Sequence, residues 1–300
     1  MSTPRAVFLF GAGASYGSDA HGTPPLSIGL FDGLRQFNPH GWGAIQGDLA
    51  SRFRQDFEEA MTAVAPHALA PLQRAMAAYF FGFRPRPPSL YLELARRITR
   101  GDWSGAACSL NYERLFELSL LPNGIQPFVG DEMIGGRGLE VCLPHGCCHI
   151  FCDAVRGAAG RVVLNGRMVQ TSGRVSVVAD LKEHAARIAQ DAFPPVMSYF
   201  EPRKPTTTGR SFIEGQRRRW KQLALSAETI AVVGVRVRPH DNHIWDPIGT
   251  TPARIIYCAG AGAATEYVAW AARTRPGNQD VVLNGVFRDE FDRICAEVGL

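Results

Sequence analysis

Three short polar segments carry the side chains best suited to chemistry, and each follows an apolar run. A turn of small residues, Gly11-Ala-Gly-Ala-Ser15, follows the first run, Asn111 comes directly after the second, and His145 comes two residues after the third. An imidazole titrates near neutrality, as a general base requires. Taken singly, however, an asparagine at a strand end is usually a cap or turn residue, and a lone histidine is usually structural. Their role therefore depends on the elements around them.

The glycine turn has the composition that lets a backbone approach a phosphate closely. It lies between an apolar run and a helical pattern, the context in which glycines admit a pyrophosphate at a helix N-terminus. A tight strand-to-helix turn without a ligand is the alternative that the residues leave open. The third glycine is Gly17 rather than residue 16, and no acidic strand end follows about 20 residues later, as the dehydrogenase fingerprint requires. The turn predicts dinucleotide binding but disfavours hydride transfer.

Apolar runs predict the strands that would position these segments. The run Ala6–Phe10 is uninterrupted, which is typical of a strand buried on both faces of a parallel sheet. Towards the C-terminus, strand and helix patterns alternate, which is the α/β signature. The predicted strands are 6–10, 106–110, 139–143, 229–234, 254–258 and 280–283, and the predicted helices there are 211–226, 263–273 and one from 287. We therefore expect an α/β fold, with a Rossmann-like parallel sheet, a helical insertion and a small antiparallel hairpin region.

We expect one domain over residues 1–300, with residues 28–99 as the helical insertion. Its apolar residues recur at spacings of three and four: Phe53, Phe57, Met61 and Val64. Prolines should break it into segments, because they cannot continue a helix: Pro66, Pro71 and the prolines of 84–88.

Residues 150–210 are predicted to form a small module, and residues 211–300 to return to the Rossmann-like core. Within the module, Asn165-Gly166 lies between two short apolar segments and is the strongest two-residue signal for a β-hairpin. Residues 202–208 are predicted to be a flexible loop.

The composition fits a soluble protein with a sizeable core. The chain has 300 residues, 46% of them hydrophobic, and a formal charge of +4 without a long basic run. We do not expect direct binding to nucleic acid, since the basic cluster 217–221 falls on a predicted helix, where a solvated face is the more common reading. No apolar run approaches the roughly 20 residues that cross a bilayer, and no export signal is evident. Seven cysteines at irregular positions suit reduced thiols, so we expect a cytoplasmic protein.

Ordered sequence blocks resemble the sirtuin family. Gly11-Ala-Gly-Ala-Ser15 is similar to the sirtuin NAD-binding turn, with Gly22-Thr-Pro24 in the place of that family's Gly-Ile-Pro. Leu110–Leu115 resembles the Asn-Tyr-Asp element of sirtuin-like NADases, and Leu143–Gly146 resembles the His-Gly element that carries the catalytic histidine. Val233–Val237, followed by His240-Asp241, resembles the glycine-containing element that lines the cofactor ribose.

The resemblance implies that the protein cleaves the bond between nicotinamide and ribose in NAD, releasing nicotinamide and ADP-ribose. Cleavage builds positive charge on the ribose, so the site must hold the sugar rigidly and supply a base. By similarity, Asn111 would orient ribose and water, and His145 would be the base. The residues that would contact NAD are Gly11, Ala12, Gly13, Ala14, Ser15, Pro24, Gly234 and Asp241. Gly260, which opens a predicted helix, is a further candidate for the adenine half, with a simple helix entry as the open alternative.

Departures from the family pattern favour the NAD-hydrolysing relatives of bacterial antiphage defence. Protein deacetylases place Asp-Phe-Arg after Gly-Ile-Pro, where this chain has Pro25-Leu26-Ser27, and 198–202 lacks the glycine of their Phe-Gly-Glu strand. The alternatives are an NAD-dependent protein deacylase and a non-catalytic module that senses NAD or ADP-ribose. By resemblance we expect a homo-oligomer or a DNA-translocase ATPase partner, and we expect the insertion to cover the site until assembly moves it.

A dense set of metal-binding residue types surrounds the predicted base: Cys142, His145, Cys147, Cys148, His149 and Cys152. It contains no Cys-x-x-Cys pair, its spacing matches none of the usual zinc patterns, and use of His145 would remove the base. We therefore expect no bound metal.

Overall fold

The computed structural model describes residues 5–101, 103–130, 137–153, 160–165, 168–198 and 208–300. In chain order, the strands are β1 (Ala6–Phe10), β2 (Gly105–Ser109), β3 (Gln126–Phe128), β4 (Gly138–Cys142), β5 (Ile150–Cys152), β6 (Gly160–Asn165), β7 (Met168–Gly173), β8 (Val175–Val177), β9 (Thr229–Val233), β10 (Arg254–Cys258) and β11 (Val281–Leu283). Within these residues, seven strands form one sheet in the order β11-β10-β9-β1-β2-β4-β3, and every neighbouring pair is parallel.

The helices flank this sheet. They are α1 (Ala12–Ser15), α2 (Ser27–Phe37), α3 (Gly47–Gln55), α4 (Phe57–Met61), α5 (Pro66–Phe81), α6 (Leu90–Arg100), α7 (Leu115–Leu120), α8 (Leu181–Gln190), α9 (Arg210–Ser226), α10 (Asn242–Thr250), α11 (Ala261–Thr274) and α12 (Phe287–Glu297). Helices α2 to α6 lie between β1 and β2 in the chain. The fold class predicted from the sequence, a Rossmann-like parallel sheet with a helical insertion and a small antiparallel hairpin region, is confirmed.

Strand β1 is the centre of the sheet because its side chains are apolar on both faces. All five of its residues are buried, and it pairs with β2 on one side and β9 on the other. Its alternate residues belong to two cores: Phe8 and Phe10 to one, and Val7 and Leu9 to the other. The period of two thus gives a sheet covered on both faces.

The breaks within the insertion differ from the prediction. Pro71, predicted to end a helix, lies inside α5, so this expectation is wrong. The helix loses one backbone donor at Pro71, but apolar side chains beyond it pack into the core and hold the helix together: Leu72, Met76, Ala77, Phe80 and Phe81. The stripe from Phe53 to Val64 is interrupted instead at Asp56, whose carboxylate accepts a hydrogen bond from Glu59 N at 3.1 Å and starts α4. All four residues of that stripe are nevertheless buried.

Two small antiparallel pairs lie apart from the main sheet. Strand β5 pairs with β8, and β6 pairs with β7, ending at the register Asn165↔Met168. Gly166 of the predicted hairpin turn lies outside the described residues, as do 202–207 of the predicted loop.

Two further features bear on the class of protein. Among the described helices, none has the length and apolar composition needed to span a membrane. All seven cysteines are buried, and none forms a disulfide.

Candidate functional site

Four adjacent strands bring the predicted site residues to one edge of the sheet. The neighbours β9, β1, β2 and β4 are parallel, so the segments that follow them leave from the same edge. The glycine turn follows β1, Asn111 follows β2, His145 follows β4 and Asp241 follows β9. The chain forms β2, β3 and β4 on one side of β1 and then returns to the opposite side of β1 to form β9. This reversal creates a topological switch point, where open α/β sheets bind their ligands.

The glycines of the turn pack against the end of β9. A Cβ on Gly11 would lie 2.6 Å from the carbonyl oxygen of Gly234, and a Cβ on Gly13 would lie 2.9 Å from the Cα of Gly234. Gly13 N donates a hydrogen bond to that carbonyl at 3.0 Å. Backbone packing between two turns therefore accounts for both glycines without a ligand. The helix that follows, α1, has only four residues, so the turn does not open onto a long helix.

Gly234 completes this contact from the other side. Its φ is +66°, and a Cβ would lie 2.0 Å from Ala14 N. Substitution by alanine would combine a left-handed backbone with a collision against main-chain atoms that cannot rotate away.

Gly234→Ala is therefore expected to lower the free energy of unfolding by at least about 2 kcal/mol. The matched control is Gly260→Ala, because Gly260 has a φ of −55° and open space around the added Cβ. It should change the free energy of unfolding by less than about 1 kcal/mol. Urea unfolding of both variants checks this, and equal effects would contradict the packing argument.

A buried hydrogen-bonded network lies beside the turn. The Asn111 side-chain amide donates to Ser15 Oγ at 2.9 Å and to Gly11 O at 3.2 Å. Ser15 Oγ donates to Glu113 Oε1 at 2.5 Å and lies 3.1 Å from the hydroxyl of Tyr91, which belongs to α6. The network thus joins the turn after β1, the segment after β2 and the insertion.

Two carboxyl groups of this region are shifted towards their neutral forms. Burial raises the pKa of Glu113, while hydrogen bonds from Ser15, Leu115 N and Asn111 act in the opposite direction. Burial, followed by the charge on Glu113, raises the pKa of Glu117 to about 8. One carboxylate oxygen of Glu117, Oε1, has no hydrogen-bond partner among the described residues.

The shifted pKa of Glu117 predicts a pH-dependent stability. An unfolded glutamate titrates at about 4.3, so between there and about 8 the folded protein binds the additional proton. The stability contributed by neutral Glu117 is fully present below the unfolded pKa and is lost as the pH rises through the folded pKa. Glu117→Gln, which is always neutral, should therefore gain up to about 4 kcal/mol in free energy of unfolding near pH 9 relative to its effect near pH 5.

Urea unfolding at both pH values measures this difference. The exposed Glu228→Gln is the control for loss of one carboxylate, and it should show no comparable gain at high pH. A Glu117→Gln effect that is the same at both pH values would show that Glu117 does not change its protonation in this range.

A second polar group forms where the segments after β4 and β9 meet. His145 Nε2 lies 2.9 Å from His243 Nε2, and a carboxylate oxygen of Asp241 lies within 4.8 Å of both rings' ligand atoms. Asp241 is the N-cap residue of α10, yet its side chain makes no capping hydrogen bond to that helix. His145 and Asp241 are buried and His243 is half-buried.

Hydrogen bonds that involve backbone atoms link the Asn111 network to the group that contains His145. Cys148 N donates to Tyr112 O at 3.0 Å, which joins the segment that carries His145 to the segment that carries Asn111. The Tyr112 hydroxyl donates to Ser198 O at 2.9 Å, and Ser198 N donates to His145 O at 2.8 Å.

Two other residues predicted to contact NAD, Pro24 and Gly260, belong to other segments of the chain. Pro24 is buried in the loop between α1 and α2. Gly260 is exposed at the N-cap of α11, after β10, with β9 between it and β1. It occupies the simple helix-entry position that the sequence left open as an alternative.

Sequence reasoning missed three residues of these groups: Tyr91, Glu113 and His243. Glu113 and His243 could have been found, because each lies two residues after a predicted site residue in the same post-strand segment. Tyr91 could not, because its contact with Ser15 joins positions 76 residues apart.

The cysteines and histidines that cluster between residues 142 and 152 do not form one group in the structure. Cys147, Cys148 and His149 form one buried group with converging ligand atoms, whereas His145 belongs to the other group. The Cys147 thiol donates to Tyr112 O at 3.1 Å.

The basic cluster on α9 makes internal contacts. The Arg219 guanidinium forms two hydrogen bonds with Glu140, at 2.5 and 2.6 Å. Trp220, within the same cluster, is fully buried.

Comparison with known proteins finds similar solved structures. No protein-family model and no curated protein matches the sequence. One similar structure is a Sir2 homologue in complex with NAD, with 15% identity, 98% of this chain and 89% of that chain covered, and a TM-score of 0.46. Another is a Sir2 homologue mutant bound to ADP-ribose, with 15% identity, 98% and 91% coverage, and a TM-score of 0.47. A third is Sir2 with an inhibitor, 2′-O-acetyl-ADP-ribose and a deacetylated peptide, with 14% identity, 98% and 94% coverage, and a TM-score of 0.45. At these identities and scores, the side chains of the site itself must carry the functional argument.

Proposed function

We propose that this protein hydrolyses NAD to nicotinamide and ADP-ribose, and that it acts as a regulated NAD-depleting effector in antiphage defence. The observation that carries the proposal is the convergence of three ordered sequence blocks at one sheet edge. The turn over 11–15, the segment with Asn111 and the segment with His145 follow three neighbouring parallel strands, and hydrogen bonds join them.

The buried network suits a reaction that builds positive charge on a ribose. Asn111 and Glu113 hold Ser15 from two sides, so the polar atoms near the sugar would need little reorganisation. Glu113 accepts hydrogen bonds from Ser15 Oγ and from Leu115 N, both at 2.5 Å, which favour its carboxylate form. Burial raises the Glu113 pKa, but in its ionised form this carboxylate would stabilise a positive charge developing beside it.

The histidine pair suits the removal of a proton from a ribose hydroxyl or from the attacking water. In a neutral pair, one ring donates through Nε2 and the other accepts. The accepting ring can use its Nε2 lone pair as a general base once the hydrogen bond from the other ring opens to admit the substrate. We assign this role to His145, with Asp241 and His243 beside it on the segment after β9.

The insertion gives a route for regulation, and we propose that residues 28–99 cover the site before assembly with further copies or with an ATPase partner. Tyr91 of α6 contacts Ser15, and Gln73 of α5 donates to Met197 O at 2.7 Å. Movement of these helices would therefore disturb both sides of the site.

Chromatography of NAD products tests the proposal against its two alternatives. Hydrolysis predicts nicotinamide and ADP-ribose from NAD alone. A deacylase would release nicotinamide only with an acylated peptide, and a sensing module would return intact NAD after binding it. The assay is repeated over a series of protein concentrations, because control by assembly predicts a specific activity that rises with concentration. Absence of nicotinamide under every condition, with NAD binding retained, would overturn the proposal in favour of sensing.

A further inference from the structure

We infer that His145, Asp241 and His243 form a binding site for a divalent transition-metal ion, with zinc as the representative ion. The inference goes beyond the proposed reaction, which uses His145 as a base and contains no metal. Its functional consequence, reversible inhibition, rests on the proposed function, but the binding site itself does not.

The ligand atoms converge closely enough for one ion. The three ligand atoms lie within 4.8 Å of one another, and the two histidine Nε2 atoms are 2.9 Å apart. Around tetrahedral zinc, with bonds of about 2.0–2.1 Å, two nitrogen ligands lie roughly 3.3 Å apart. To bind one ion, the rings would separate by a few tenths of an ångström and turn so that both Nε2 lone pairs face it, and the Asp241 side chain would rotate towards it.

Well-anchored elements carry the three ligands. His145 follows β4, and its backbone carbonyl accepts the hydrogen bond from Ser198 N. Asp241 and His243 flank the start of α10, where Ile244 N and Trp245 N donate to Asp241 O at 2.8 and 3.0 Å. The Asp241 side chain, which does not cap this helix, faces the two rings instead.

The donor set selects the class of ion. Two imidazoles and one carboxylate suit zinc and similar transition metals, whereas calcium and magnesium take oxygen ligands. Three protein ligands leave one coordination position for water or an anion. Binding to a neutral pair requires only that the ring which donates through Nε2 carries its proton on Nδ1 instead, so no proton is lost from the protein.

A bound ion would compete with the proposed reaction. The metal takes the lone pair of His145 Nε2, and this nitrogen is the atom that would accept the substrate proton. Zinc is therefore expected to inhibit NAD hydrolysis reversibly, and a chelator should restore it.

Among the described residues, the neighbouring group of Cys147, Cys148 and His149 is a second candidate for the same ion, and the test must separate the two. These three residues are consecutive and fully buried, and the Cys147 thiol is engaged with Tyr112 O. Cys148→Ser removes a ligand from that group and leaves the histidine pair intact.

The experiment uses the full chain after treatment with a chelator. Cobalt(II) is titrated while its visible absorption is recorded, and zinc binding is measured by calorimetry. We expect one ion per chain that requires the histidine pair, with affinity reduced at least about tenfold in His243→Ala and in Asp241→Asn. His240→Ala, in the same loop but exposed, and Cys148→Ser should both keep this binding. Thermal unfolding with and without zinc shows which variants are folded and whether the ion stabilises them.

The outcomes separate the metal site from the proposed reaction. Zinc affinity that is unchanged in both His243→Ala and Asp241→Asn, or lost in Cys148→Ser, would overturn the inference even if NAD is hydrolysed. The unsubstituted protein could bind zinc without ever cleaving NAD. If His243→Ala then loses zinc binding, the metal site stands and only its inhibitory role is removed. Where NAD is hydrolysed, His243→Ala should need at least about tenfold more zinc than the unsubstituted protein for the same fractional inhibition.

Discussion

The His145→Ala variant is expected to release nicotinamide from NAD at least about 100-fold more slowly than the unsubstituted protein, because loss of a general base typically costs about 10² to 10⁴ in rate. NAD binding should stay within about tenfold, since the turn that would hold the phosphates follows a different strand. Product chromatography gives the rate, and calorimetry gives the affinity.

The control for this variant is His67→Ala, which removes an exposed histidine from α5. It should hydrolyse NAD at the unsubstituted rate. His243→Ala is measured in parallel, because its Nε2 lies against that of His145 and the ring could accept a proton in its place. A His145→Ala variant that is folded and turns over normally would remove His145 from the catalytic role.

The sheet could be predicted from the sequence because its strands are local apolar runs. Ala6–Phe10 is buried on both faces, and a run of this kind has few alternatives in an α/β pattern. The order of the strands in the sheet follows from long-range contacts. The return of the chain to form β9 beside β1 brings Asp241 and His243 towards His145, and no local pattern encodes that pairing.

The glycine turn shows that one pattern of small residues can have two different physical reasons. The sequence suggested that Gly11 and Gly13 make room for a phosphate. In the fold, the space beside both glycines is filled by Gly234, which is more than 200 positions away in the chain. Packing against a second backbone turn therefore accounts for both glycines, and phosphate binding by the turn stays a prediction. Only a contact between distant segments could reveal this.

Pro71 illustrates the converse error, in which a strong local rule is overridden by packing. Proline removes one hydrogen bond from α5, but the helix continues for ten residues beyond it, to Phe81. Burial of large side chains such as Met76 and Phe80 offsets a cost of about 3 kcal/mol. Helix breaks inside the insertion therefore depend on tertiary packing that spacing alone does not specify.

Asn111→Ala is expected to lower the rate of nicotinamide release by about 10² to 10³, the range seen when one well-placed hydrogen-bonding group is removed from an active site. The Asn111 amide donates through Nδ2 to Gly11 O and to Ser15 Oγ, and the side chain also makes a hydrogen bond with Glu113. Among the described residues, no hydrogen bond to its Oδ1 is found, so this oxygen can accept one from a ribose hydroxyl or from water. The substitution removes that acceptor as well as the support for Ser15.

The division of the effect between kcat and KM distinguishes orientation of the reacting groups from support of the turn. If Asn111 orients ribose or water only as the bond breaks, kcat falls and KM stays nearly constant; if it only holds Ser15 and Gly11 in place, KM rises instead. The substitution leaves the contacts of Ser15 with Glu113 and Tyr91 in place, so two contacts still hold the turn. We therefore expect the effect on kcat to be larger than the effect on KM. Asn278→Ala, an exposed asparagine whose amide also donates to a backbone carbonyl, is the matched control and should leave both constants unchanged. A purely KM effect in folded Asn111→Ala would assign Asn111 to the structure of the turn and leave His145 without its proposed partner.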